Sequence, residues 1–403
     1  MRSHKKILLM TSSWFYLMYP TYTQIARRNN WHITLCERSR PPKNWQGDGV
    51  IMMMLNSPTM IRFAKYLKSR HIPCVDILND VHSLQLPRVL SDYSAAAKLA
   101  ARHFQDCGFR HSAFFAMEHT SMHDACYQHF VEATEGEPPL RWIWEENPCN
   151  PDNYKDLTVW IGNLLIKAPK PIAVWCFNDY NAASFADICW KAGVKIPQDV
   201  AILGHGDISM YTQTAAVPIS SVAVDWEQRA KTACSLLERQ MNGEKTPDEP
   251  ILIKPRGITI RKSTDGIAIT DQTLRTAVIT ATDSNRKPCG VEQLAREMNV
   301  PRQKLNAISR KELGKSLHSA IISERIRKAE RLLTDTDAKL STIAADIGFC
   351  HASYFIKLFR REKGITPTEW RKQNQSTASR QNLLFTLYPL LISHLYTSPL
   401  LHG

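Results

Sequence analysis

The chain has no cysteines at motif spacing. Its ten, at positions 36, 74, 107, 126, 149, 176, 189, 234, 289 and 350, form no Cys-x-x-Cys pair and no Cys/His group at zinc spacing. Single thiols in a chain this long read as buried side chains of a reducing compartment, not as a disulfide framework. His119 and His123 stand four apart, but no third partner follows at useful spacing, so no metal is expected. Gly-x-Gly-x-x-Gly and Walker-type loops are missing, which removes sequence support for dinucleotide binding and NTP hydrolysis. No catalytic constellation is found, so neither an enzyme nor a cofactor is expected. Clean apolar runs of about 20 residues, the length a membrane span needs, are also missing. The start, MRSHKKILLMTSSWFYLMYP, imitates a leader, but Thr11, Ser12 and Ser13 break the run and no small-x-small cleavage site follows. A first strand over Lys6 to Met10 fits better. The C-terminal LLFTLYPLLISHLYTSPLL is broken by Pro389 and Pro399 and interrupted by His394.

What is there in quantity is length and positive charge. The chain has 403 residues, 43% of them hydrophobic, enough for two or three domains with real cores. Lys and Arg number 51 against 38 Asp and Glu, a net charge of +13, so a polyanion is the first partner to consider. The charge is uneven: residues 271–372 hold 20 basic and 12 acidic side chains, and so +8 of the total.

Through residues 5–262, short apolar runs alternate with helical patterns. GVIMMML, PCVDIL, SAFFAM, PIAVWCF and DVAILG read as buried strands; PTMIRFAKYLKSRH, AAAKLAARHFQDCGF and NAASFADICWKAG read as helices. Continuous apolar strands between helices indicate parallel sheets covered on both faces. In such folds ligands sit at the carboxyl ends of strands, here near Glu118 to Asp124, Asn178 and Asp179, and His205 to Asp207. Asn178 or Asp179 could equally cap the helix that follows.

SDYSAAAKLAARHFQDCGFRHSAFFA and AVWCFNDYNAASFADICWKAGVKIPQDVAILGHGD resemble the effector domain of LacI-type repressors. That resemblance implies a periplasmic-binding-protein-like fold of two α/β lobes with a ligand cleft between them, over residues 1–264. It implies Asn178, Asp179 and Asp207 as ligand-binding residues, with a small effector, a sugar such as xylose. Two positions depart from the pattern. Gly206 stands where sugar-binding relatives carry an Asp, and Cys126 where they carry an Arg, whose fork of donors is hard to replace.

In the basic region Leu340, Ile343, Ala344 and Ile347 fall at helical spacing and stop at Gly348; Tyr354, Phe355, Leu358 and Phe359 restart the period. Two helices joined by a glycine turn make a helix-turn-helix. VEQLAREMNVPRQKLNAISRKELGKSL repeats the pattern about fifty residues earlier, and Ile322, Ile326, Ala329 and Leu333 mark one face of a connecting helix.

Ile347-Gly348-Phe349, Ser353-Tyr354-Phe355, Phe359, Gly364, Pro367 and Trp370-Arg371 are similar to the tail signature of the AraC/XylS family of transcription regulators, and Arg325, Ile326, Ala329, Leu332 and Leu333 to its connecting helix. The resemblance implies an all-α double helix-turn-helix domain over residues 276–372, after a linker at 265–275. Its base-reading positions fall on Gln303, Asn306 and Ala307, then Ser353, Tyr354 and Lys357. Arg302, Lys304, Arg310, Arg360 and Arg361 are assigned to phosphates. Ser309 stands where the family has a core aromatic. Residues 373–403 are expected to be a disordered extension. The whole plan resembles that of xylose-operon regulators. It implies a cytoplasmic homodimer on double-stranded DNA half-sites that recruits RNA polymerase as an activator, with no membrane partner. Two alternatives stay open: a constitutive regulator with a vestigial cleft, and a solute-binding α/β protein with an unrelated basic tail.

Overall fold

The computed structural model describes residues 4–11, 13–37, 39–78, 80–81, 83–145, 151–266, 268–283 and 289–372. The expected extension at 373–403 and Cys149 lie outside the described residues.

Among the described residues the chain divides into two compact units, one up to residue 98 with 119–129 and 223–257, the other of 99–118, 130–222 and from 258 onward. The first unit is built on a four-stranded parallel sheet in the order Trp31–Glu37, Lys5–Thr11, Gly49–Met52, Cys74–Asp76. The central strand runs Ile7-Leu8-Leu9-Met10, all buried, with Ile7 and Leu9 joining one core and Leu8 and Met10 the other. That is why its apolar run does not alternate: both faces are covered. Helix Pro58–Ser69 covers one side through Met60, Phe63, Ala64 and Leu67, and Ser57 caps it by accepting the Met60 N–H. Helix Trp226–Met241 covers the other side through Ala230, Ala233 and Leu237.

The second unit holds a six-stranded sheet and a helical domain. The strand order is Gly257–Thr259, Ser220–Ala223, Val200–Gly206, Ile172–Cys176, His111–Ala116, Leu140–Ile143. The pairs around Ile172–Cys176 and His111–Ala116 are parallel. Every residue of Ile172–Cys176 is buried, as the continuous run required. Trp175 is wholly buried edge-on to Phe114 and Phe130, at ring separations of 5.4 and 5.2 Å.

In the helical part, Val291–Glu297 and Arg302–Leu313 form the first helix pair, Leu317–Asp335 connects, and Leu340–Asp346 and Ala352–Lys363 form the second. The two turns are built alike. Val300 N–H donates to the Ala295 carbonyl at 3.0 Å and Phe349 N–H to the Ala344 carbonyl at 2.8 Å. Each turn needs one left-handed residue, supplied by Asn299 at φ 51° and by Gly348 at φ 85°. Ile322, Ile326, Ala329 and Leu333 are all buried, packed with Ile343, Phe355 and Phe359. Leu317 and Ile321 serve the other core, with Leu294 and Leu305. One helix therefore belongs to both pairs.

A helix over Gln272–Thr282 was not expected. It begins inside the stretch read as linker, is capped by Asp271 accepting the Leu274 N–H, and buries Leu274, Ala277, Val278 and Ala281 in the first core.

Candidate nucleic-acid interface and effector site

Each helix pair turns a polar face outward because its apolar residues are spent on the cores. On Arg302–Leu313 the exposed residues include Arg302, Gln303, Lys304, Ala307 and Arg310. On Ala352–Lys363 they include Ser353, Tyr354, Lys357, Arg360 and Arg361. Tyr354 leaves half its surface open while its ring meets Phe349 edge-on, so its hydroxyl end is presented on a fixed stem. Asn306 differs from the other base-reading candidates. It is half-buried, and its Oδ1 accepts the Leu317 N–H at 3.1 Å, tying helix Arg302–Leu313 to the connecting helix.

Two phosphate candidates already have anionic neighbours: Arg302 pairs with Glu292 at 2.5 Å and Arg361 with Glu362 at 2.8 Å. Such exposed pairs are weak. Ser309 is fully buried and its hydroxyl donates to the Lys315 carbonyl at 2.8 Å. In the second pair Phe359 fills the matching place, packed edge-on to Phe355 and Trp370.

Arg325, which sequence reasoning treated only as a signature residue, holds these parts together. Its guanidinium lies 5.6 Å from the Phe349 ring centre and donates to the Ala281 carbonyl at 3.0 Å. It also packs against Gly348, where an added Cβ would come within 3.1 Å of it.

The three effector candidates lie at strand ends of the six-stranded sheet. Asn178 is half-buried and caps helix Asp179–Lys191, accepting the Asn181 N–H at 2.8 Å. Asp179 is wholly buried. Its Oδ1 accepts the Ser221 hydroxyl at 2.5 Å and its Oδ2 the Ile208 N–H at 2.7 Å. Burial pushes this carboxyl up to about 7, with those two donors pulling the other way. Asp207 is also buried, pairs with Arg261 at 2.7 Å and accepts the Thr259 hydroxyl at 2.7 Å. Asp179 and Asp207 thus lock the strand-end loops to their neighbours.

The two departures from the sugar-binding pattern have physical reasons. Gly206 sits at φ 125°, and a Cβ there would stand 3.1 Å from the Asp179 carboxylate, so an acidic side chain would be both strained and repelled. Cys126 is buried, and burial holds its thiol protonated. In the same unit a guanidinium arrives from another element: Arg229 is buried and donates to the Ile77 carbonyl and to Ser91 Oγ. Sequence spacing could not have found it, because its partner Ser91 lies 138 residues away. Among the described residues no group of three or more His, Cys, Asp or Glu could hold a metal. None of the described helices is long and apolar enough to cross a membrane.

The architecture defines a periplasmic-binding-protein-like α/β domain followed by a helical DNA-binding-type domain. Residues 101–264 match the family model of a periplasmic binding protein-like domain, and residues 294–373 that of a helix-turn-helix domain. Over 360 residues the chain is 23% identical to the xylose operon regulatory protein of Escherichia coli K12, covering 87% of this chain and 91% of that protein. It is 25% identical over 292 residues to the protein of the same name from Haemophilus influenzae, covering 71% and 74%. A solved structure described as the xylose-binding transcription activator xylR superposes with a TM-score of 0.60 at 20% identity, covering 93% of this chain and 99% of that one.

Proposed function

We propose that this protein is a sequence-specific DNA-binding transcription regulator whose α/β domain senses a small ligand. The observation that carries the reading is the pair of matched helix-turn-helix units joined by a helix common to both cores, each with a cationic outer face. Gln303, Ala307, Ser353, Tyr354 and Lys357 read base edges. Asn306 contributes its amide N–H while its oxygen stays on Leu317. Arg302, Lys304, Arg310, Arg360 and Arg361 meet phosphates. The relatives' names support a sugar effector such as xylose and activation of transcription; action in the cytoplasm as a homodimer is part of the same proposal. Bound ligand shifts the population between two states of the effector domain, and the DNA-binding domain responds to that shift.

In the effector site Asn178 is the residue with surface to offer. Asp179 and Asp207 hold the loops around it. The experiment is fluorescence anisotropy of the full chain with duplexes selected from a randomised pool, at rising salt. Binding with no sequence preference, or none at all, would overturn the reading. A second reading, constitutive regulation, is favoured by Gly206, Cys126 and the internally spent Asp179. A thermal-shift screen with pentoses and hexoses separates the two, since a sugar that binds the folded state raises the melting temperature.

A further inference from the structure

The second unit contains two polar junctions between its sheet-bearing lobe and its helical domain. At the first, the Arg110 guanidinium, just before strand His111–Ala116, donates to the carbonyls of Lys311 and Glu312. Those carbonyls end the first reading helix, where the helix dipole favours a cation. The Glu312 carboxylate in turn accepts the Thr270 and Asp271 N–H groups, each at 2.9 Å, at the start of helix Gln272–Thr282. At the second junction, Asp265, just past the last residues of the lobe, accepts from Arg327 at 2.6 Å and from Arg331. Both arginines sit on the connecting helix. Arg327 also donates to the Thr264 carbonyl and pairs with Glu324, so each of its three guanidinium nitrogens has a partner although the residue is buried. Behind it, buried His103 bonds Thr264 Oγ1 through Nε2 at 2.9 Å.

The geometry points to Arg110 and Asp265 as positioning residues that let the lobe set the attitude of the helix pairs toward a duplex. Charged hydrogen bonds at both junctions are directional, unlike apolar contacts, so a shift of the lobe moves the helices with it. The first junction acts on the reading helix itself, and the second on the helix shared by both cores. The functional half of this inference rests on the DNA-binding reading. The physical half, that these bonds restrain the helices, does not.

The test is hydrogen exchange of the full chain, wild type against Arg110→Ala, Asp265→Asn and the double variant, with and without a duplex selected by the wild type from a randomised pool. Without DNA, Arg110→Ala should speed exchange in the last turn of Arg302–Leu313, and Asp265→Asn should speed it in residues 327–335, each about 10-fold, the size expected for losing one charge-assisted bond. Arg110→Lys should restore most of the protection. With DNA, coupling is reciprocal, so wild type should gain protection in residues 99–110 and 262–266 and the double variant should not. Unchanged exchange in the DNA-free variants would overturn the inference, as would DNA-induced protection of the lobe that survives in the double variant. If wild type selects no duplex, the DNA-binding reading falls while the DNA-free comparison still decides the junctions.

Discussion

Lys357 and Arg361 lie four residues apart on one exposed helix face, yet they are assigned different tasks. Lys357→Ala should relax preference at one base pair, costing about 1–3 kcal/mol on the preferred sequence and little on others. Arg361→Ala should weaken all duplexes alike. Anisotropy across a set of single-base variants of the selected duplex distinguishes the two, and equal losses on every sequence for both would undo the assignment. Two buried residues of the second unit make opposite claims on pH. Asp179 is raised from 3.8 to about 7 by burial, so the folded state holds a proton that the unfolded chain releases, and stability falls as pH rises through that interval. His103 is lowered from 6.5 to about 3, first by burial and then by Arg327 and Lys363, so its contribution is lost as pH falls below 6.5. The two slopes oppose each other between roughly pH 4 and 6.5. Asp179→Asn removes one of them, so urea denaturation of that variant should show stability rising more steeply over that range than in wild type.

At the scale of elements, the turn of the second helix pair depends on Gly348, left-handed and packed on the Arg325 guanidinium. Gly348→Ala should lower stability by about 1–2 kcal/mol from backbone strain alone, and more from displacing Arg325. Thermal melts of the full chain read this directly. Glu330 of the connecting helix is buried, and its ion pair reaches Lys363 Nζ at 2.7 Å, in the last turn of helix Ala352–Lys363. Burial raises the Glu330 carboxyl and Lys363 opposes that rise. Lys363→Met removes the partner and should cost about 3 kcal/mol, of which Glu330→Gln in the same chain should recover a part. Strands with continuous apolar runs and both helix pairs were legible in the sequence, because burial on two faces and 3.6-residue spacing leave direct marks. Helix Gln272–Thr282 was not. Its sequence, QTLRTAVITAT, is rich in β-branched residues that favour strands, and the Asp271 cap and the core against Leu294 and Leu317 outweigh that preference. The edge strand Trp31–Glu37 escaped notice because most of its side chains are exposed and give no apolar run.

For the whole molecule, the +8 concentrated in residues 271–372 sets how binding should depend on salt. If the five assigned cations each neutralise one phosphate, the logarithm of affinity should fall with the logarithm of salt at a slope near about −4.5. Anisotropy from low to moderate salt measures it, and a flat response would count against the cationic face as the interface. The effector half was legible as a fold and much less so as a site. Asn178 and Asp179 were expected at a strand end and stand there, but that both Asp179 oxygens are engaged depends on Ser221 and Ile208, brought there by the sheet. Arg110 and Glu312 are 202 residues apart, and nothing local in either stretch announces the other.

Ser309 and Phe359 occupy matching places in helices Arg302–Leu313 and Ala352–Lys363, a small hydroxyl in one and a large ring in the other. A smaller side chain at that place fills less of the first core, so helix Arg302–Leu313 is expected to yield more easily than Ala352–Lys363. A yielding reader forgives misspelling and a stiff one does not. On the DNA-binding reading, bases under helix Ala352–Lys363 should stay alike from site to site while those under Arg302–Leu313 drift, as selection of bound duplexes from a randomised pool would show.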